Sequence, residues 1–270
     1  MGRQGLRARR QRLRRRLLVG LLFLLLVLAG LADYGLWRKG VRISHIGIVG
    51  ADPALATLAQ SALAGTYLGI IPRDSGFFIP SSAIREAILA AHPEIAAVSV
   101  RHDGLGGIIV KADMRVPVAR WCGLSPTEGV DEYCYLVDAN GFVFSAADAS
   151  STPLNPFKVY VPLLGGTSTE PLRASIAHAD VLPSTFDFAR QLSTLGSMVT
   201  SVIVNDDEVS DVLVSGTRIT YVLGAEQQAF AALVSAKGQF NLSDGSIDYV
   251  DLRFPGKVYL KKRAEAESSL

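Results

Sequence analysis

Side chains that carry chemistry are scarce in this sequence, and their spacing does not favour catalysis. Of the four histidines, His45, His92, His102 and His178, no two have metal-ligand spacing and none lies beside a cysteine motif. No G-x-S-x-G turn and no S-x-x-K pair occurs. The one glycine cluster, DGLGG at 103–107, lacks the phosphate-loop pattern and reads as a hairpin turn. Asp206, Asp207 and Glu208 are adjacent acids in a short turn, where they point apart, so they read as a solvated turn before a cation site. No cofactor or metal is expected, and the chain is read as a non-enzyme. Cysteine is equally scarce. Cys122 and Cys134 are the only two, so disulfides are not the framework. In an oxidising compartment this pair, flanking a short loop between expected strands, forms a candidate bridge; two buried free thiols are the alternative.

Acids are missing from the first 16 residues, which hold eight arginines. Without those eight, the 27 bases fall to 19 against 25 acids, a net of about −6 for the body. An acidic body argues against nucleic acid as a partner. Residues 17–32 lack any charge or hydroxyl. As a helix they span roughly 24 Å, and extension to Trp37 reaches a hydrocarbon core of about 30 Å. Tyr34 and Trp37 then sit at the outer interface, and the arginines hold the other end in the cytoplasm. The rival reading is a secretory signal peptide, with Gly30 and Ala32 at −3 and −1 of a cut before Asp33. The long arginine lead, the leucine-rich core and the aromatic pair favour an anchor that stays. Either reading exports the remainder.

Apolar periodicity organises that remainder. Residues 41–49 alternate as a strand. Asp52-Pro53 starts a helix carrying Leu55, Leu58, Ala59 and Ala62. Residues 65–80 form a loop whose apolar content predicts that it packs down. Ser81 caps a second helix with Ile84, Ala87, Ile88 and Ala91 inward. Residues 95–102 and 108–116 are strands; in the second, Val110, Ala112 and Met114 face in and Lys111, Asp113 and Arg115 face out. Strand, helix, helix, strand, strand predicts a three-stranded sheet with two helices on one face. After Pro117, strands are expected at 118–122, 157–163, 199–204, 209–214 and 218–223. A hairpin is expected at 132–144, with Asn140-Gly141 supplying positive φ angles. A helix at 184–195 has Ser184 and Asp187 at capping-box spacing and Phe188, Leu192 and Leu195 inward. Another follows Gly224, with Phe230, Leu233 and Val234 inward. A last hairpin joins 247–254 to 257–262 through Pro255-Gly256, and 263–270 is a solvated tail. The fold class is α+β.

Several motifs lie in order along this layout: Pro93, the strand 97–101, then Arg115, Pro117, Ala119 and Trp121; next YLVDANGFVF; and finally IDYVDLRFPGKVYLKK. Together with the basic tail and single apolar helix, they resemble the FtsQ/DivIB family of bacterial cell-division proteins. Departures are Gly-Leu-Gly in the POTRA turn, Met114 before Arg115, and the cysteine pair, which is not a family hallmark. The resemblance implies a cytoplasmic tail (1–16), a transmembrane helix (17–37), a POTRA domain (41–117), an FtsQ-like β domain with flanking helices (118–262) and a flexible tail (263–270). It implies a single-pass type II protein of the bacterial cytoplasmic membrane, gathered at the division septum. Such a protein acts as a non-enzymatic scaffold that binds FtsB and FtsL through the C-terminal edge of the second domain and helps control septal wall synthesis. Other divisome proteins would meet the POTRA module or the membrane helix. Alternatives are another POTRA-bearing export or assembly protein and an anchored envelope hydrolase.

The residues of the last strand fit a partner edge on physical grounds too. A terminal strand exposes unpaired N–H and C=O groups that an extended segment can complete. Val258 and Leu260 alternate with Tyr259 and Lys261. Phe254 and Tyr259 are candidate anchors, and Arg253, Lys257, Lys261 and Lys262 form a candidate basic rim for an acidic partner. The competing reading packs both rings in the core and leaves the lysines to blunt the edge against aggregation.

Overall fold

The computed structural model describes residues 3–104, 106–126 and 133–264. Leu105 of the expected turn, Glu132 at the start of the expected hairpin, and residues 265–270 of the expected tail lie outside the described residues. Helix α1 (Arg3–Leu36) contains a stretch, Arg15–Leu36, that is long and apolar enough to cross a membrane. Its 22 residues rise about 33 Å, slightly more than a hydrocarbon core. The chain divides into two compact units, α1 belonging to the first, with the break between Met114 and Arg115.

The first unit holds β1 (His45–Val49), α2 (Leu55–Ala62), the short strands β2 (Thr66–Tyr67) and β3 (Ile71–Pro72), α3 (Ser81–Ala91), β4 (Ile95–His102) and β5 (Gly107–Met114). The sheet order is β1-β5-β4; β1 runs parallel to β5, and β4 antiparallel to it. Leu55, Ala59, Ile84 and Ile88 from the helices close on Val98, Ile108, Val110 and Ala112 from the sheet. Ser99, Lys111 and Asp113 stay exposed on the other face, where Lys111 and Asp113 pair at 2.9 Å. Asp52 accepts the Ala54 N–H at 2.8 Å at the entry to α2, as its position predicts.

Four details of the first unit depart from the sequence reading. Strand β1 starts at His45, because residues 41–43 pair with 74–76 instead: Ile43 N–H donates to the Asp74 carbonyl and Gly76 N–H to that of Val41, both at 2.7 Å. Ser81 does not cap α3; Pro80 holds the N-cap position and makes no side-chain hydrogen bond. Ala91 and Met114 are exposed, because each lies where its element runs past the core. The 65–80 loop does not pack down throughout. Pro72 and Ser75 are buried, but Leu68, Ile70, Phe77 and Phe78 are exposed.

The second unit is built on one sheet of nine strands. Its strands are β6 (Ala119–Trp121), β7 (Tyr135–Val137), β8 (Val143–Ala146), β9 (Lys158–Tyr160), β12 (Val199–Asn205), β13 (Glu208–Leu213), β14 (Arg218–Val222), β15 (Ile247–Asp251) and β16 (Tyr259–Lys262), in spatial order 16-15-14-13-12-9-6-7-8. A small ladder, β10 (Leu163–Leu164) with β11 (Ser175–Ile176), meets it through backbone bonds around Phe142 and Val143 at the β8 edge. Helices α4 (Leu182–Leu192) and α5 (Glu226–Ala236) contribute Phe186, Phe188, Leu192, Ala229 and Leu233 to the main core. There Phe188 meets Tyr221 at 4.4 Å between ring centroids. Tyr160, Ile203 and Cys122 form a separate small cluster.

Here too the structure corrects local expectations. Helix α4 starts at Leu182 with Pro183 in its first turn, so Ser184 is already inside it. The Ser184 hydroxyl donates to the Val181 carbonyl at 2.7 Å, and Asp187 pairs with Arg190, so no capping box forms. Leu195 lies in the short 3-10 turn after α4 and is half-buried. Val234, expected inward, is exposed, and Ala229 is buried instead. In the β7–β8 connection only Gly141 has a positive φ, 76°; Asn140 does not. Gly141 N–H closes a turn on the Asp138 carbonyl at 3.0 Å, and the Asp138 carboxylate accepts the N–H groups of Asn140 and Phe142. The loop is therefore a three-residue type with a glycine bulge.

Candidate functional site

The edge of the nine-stranded sheet is made by β16. Gly256, at φ 71°, turns the chain, and Lys257 N–H closes on the Phe254 carbonyl at 3.1 Å. The returning strand pairs with β15 alone: Tyr259 opposite Asp251, Leu260 opposite Val250, Lys261 opposite Tyr249 and Lys262 opposite Ile247. All four β16 residues are exposed. Its outer row of backbone groups has no strand partner among the described residues, which is the geometry an added strand requires. The far edge is different. At β8, Val143 exchanges backbone hydrogen bonds with Arg173 and Ala174, so the chain covers part of that edge itself.

The candidate residues divide by what they touch. Phe254 and Tyr259 meet edge to face, with centroids 5.4 Å apart, and remain 51% and 47% exposed. They are surface rings held against each other, not core rings. Leu260 is exposed beside them, whereas Val258 is half-buried against the main core. Lys257 is exposed. Lys261 lies 3.3 Å from Asp248 and 5.8 Å from the Tyr249 ring.

Arg253 does not serve as a free basic rim. Its guanidinium donates to Asp251 at 3.0 and 2.7 Å and to Glu208 at 2.5 Å. Two carboxylates neutralise it, and their hydrogen bonds push its pKa further up, while the bond from Arg253 holds Asp251 below the usual carboxylate range. Lys257 and Lys262 keep charges with no ion pair among the described residues. Glu208, one of three acids weighed as a cation ligand, is thus committed to Arg253. Among the described residues no three His, Cys, Asp or Glu side chains are grouped to hold a metal.

Two features beside the edge were not anticipated. Tyr249 on β15 is 40% exposed and extends the aromatic surface. A shallow groove of about 650 Å³ runs between α5 and the hairpin turn, floored by Ala231, Ala232, Ser235 and Ala236 and closed by Val258. The signal for it was in the sequence: small residues recur along α5 at helical spacing, the pattern that lets another backbone approach. Cys122 and Cys134 are joined as a disulfide and lie away from this groove, against Tyr160 and Ile203.

A buried polar set lies under α4 and α5. Tyr221 donates to Asp211 at 3.3 Å, and Glu226 accepts from the Thr185 hydroxyl and the Gly224 N–H, each at 3.0 Å. Burial pushes the Asp211 carboxyl well above the usual range, opposed by the Tyr221 bond and reinforced by the Glu226 charge. Burial, with Asp211 nearby, raises Tyr221 as well. The set is enclosed, so it shapes the core more than it presents groups to a substrate. No protein-family model and no curated protein matches this chain.

Proposed function

We propose that this chain is a bitopic scaffold of the bacterial division machinery, acting through protein binding. The observation that carries the reading is β16: an open terminal strand with Phe254, Tyr259 and Leu260 exposed around it and a small-residue groove alongside. An extended partner segment would add to β16 through backbone hydrogen bonds, with the rings as anchors and a helix of the same partner in the groove. The motif resemblance makes FtsB and FtsL the expected partners, bound at the septum. The apolar helix with its arginine-rich lead supports a single span, with the lead in the cytoplasm and both units outside. Other divisome proteins would meet the first unit or the membrane helix.

The test pairs localisation with binding. A fluorescent tag before Met1 should gather at midcell on an intact membrane-bound product, and the full chain should co-purify FtsB and FtsL. Residues along an edge strand point their N–H groups alternately inward and outward. Of Leu260→Pro and Lys261→Pro, one therefore removes only an outward donor. That variant should fold and lose the partners. Retained binding in both variants, or an even spread around the envelope, sinks the proposal.

A further inference from the structure

We propose that the 65–72 hairpin, together with Phe77 and Phe78, rests in the outer phospholipid interface of the membrane that α1 crosses. This inference rests on the anchor reading above. Leu68 is 97% exposed at the hairpin tip, and Ile70, Phe77 and Phe78 are 57%, 58% and 50% exposed. Leu68 also holds a left-handed φ of 51°, a conformation that favours glycine, and Gly69 follows at 76°. The fold therefore keeps a leucine where both backbone and solvent disfavour it. Such an outlier points to something outside the described structure that receives the side chain.

The position of the hairpin identifies the receiver. The Trp37 indole N–H, one residue beyond α1, donates to the Ile70 carbonyl at 3.1 Å. Backbone bonds clamp 41–43 to 74–76, and the Arg42 guanidinium holds Asp74 at 2.9 and 3.0 Å. Both apolar segments are thus tied to the few residues that leave the helix. The Arg15–Leu36 stretch is just long enough for a hydrocarbon core, so Trp37 falls at its boundary and Ile70 falls beside it. Arg38 and Arg73 are cations that suit phospholipid headgroups, whereas Arg42 is already paired with Asp74. Arg38 lies over Tyr34 at 5.6 Å, Arg42 over Trp37 at 5.7 Å and Arg73 over Tyr67 at 5.3 Å. Rings at the interface with guanidinium groups turned toward phosphate are a recurrent membrane-boundary arrangement. A protein partner would find the same surface, but nothing other than the bilayer is placed there by the helix itself.

The full chain, reconstituted in phosphatidylcholine–phosphatidylglycerol vesicles, provides the test. Because Cys122 and Cys134 are bonded to each other, Leu68→Cys carries the one free thiol for an environment-sensitive fluorophore. Phe23→Cys in the helix and Ser99→Cys on the wet sheet face serve as references. Lipids carrying a nitroxide near the headgroup should quench the Leu68 label and shift its emission to the blue, with Ser99 unaffected. If the Phe23 label is quenched by acyl-chain nitroxide while Leu68 behaves like Ser99, the hairpin proposal falls and the anchor stands. A blue shift at Leu68 without nitroxide quenching means that protein, for instance a second copy, covers the tip, and the proposal also falls. If neither label is quenched, the anchor and the hairpin proposal fall together.

Discussion

Reducing the Cys122–Cys134 bond should lower the stability of the second unit by about 3 kcal/mol without changing its native structure. The figure follows from the loop. The cysteines are 12 residues apart, and closing a loop of that length removes roughly 9–10 cal/mol/K of chain entropy from the unfolded state. Cys122 is buried with Tyr160 and Ile203, so those contacts persist after reduction and the loss falls mainly on the unfolded chain. The assay is urea unfolding of the full chain in detergent, with and without dithiothreitol. A Trp37→Phe background leaves buried Trp121 as the only indole reporter. The urea midpoint should fall while the near-ultraviolet circular dichroism of the native protein is retained. A loss below about 1 kcal/mol, or a native spectrum that collapses on reduction, refutes the reasoning. In the second case the bond would be holding the folded packing together.

Asp211→Asn should change how stability depends on pH. Burial raises the Asp211 pKa in the folded state, so its contribution is fully present below the unfolded value, about 3.9, and is lost as pH rises through the folded value. Asparagine does not titrate, so the variant should gain on the wild type between mildly acidic and neutral pH in urea midpoints; a gap that is flat with pH would count against a buried, protonated Asp211. Asp138→Ala should destabilise the second unit by about 3 kcal/mol, since it removes the half-buried Arg115–Asp138 ion pair and leaves two turn N–H groups without their acceptor. Thermal unfolding reads this directly, and a shift of only a degree or so would show that the ion pair is dispensable.

Local patterns were legible where one period dominated. In 95–102 the β-branched Val98 and Val100 alternate with Ser99 and Arg101, and β4 occupies that range. The Pro255-Gly256 turn and the last strand were legible for the same reason, because turn chemistry and alternation agree there. Long-range pairing was not. Parallel neighbours such as β9 with β12 and β14 with β15 are joined by long connections that leave no local mark. The same gap hid the fate of Arg253: Glu208 lies 45 residues away in sequence, and only the order of β13, β14 and β15 brings it close. Residues 41–43 continue the alternation of β1, yet they pair with 74–76, because a strand pattern does not name its partner. Asp211 was read simply as part of a strand, although it takes an inward position between Val209 and Leu213. An acid at that place in an alternating run was the signal for the buried Tyr221–Asp211 contact.

The unequal edges of the nine-stranded sheet set its valence. Part of β8 is occupied by the chain's own 173–175 segment, whereas β16 has no outer strand partner among the described residues, so β16 is the edge better placed to accept an added strand. Two copies that met through β16 would close as a two-fold pair with no open end, so this edge cannot seed head-to-tail fibres. A partner strand seated there removes even that option. Occupancy of β16 would therefore be exclusive: a partner strand added there and pairing with a second copy compete for the same row of backbone groups, so raising the concentration of one would displace the other.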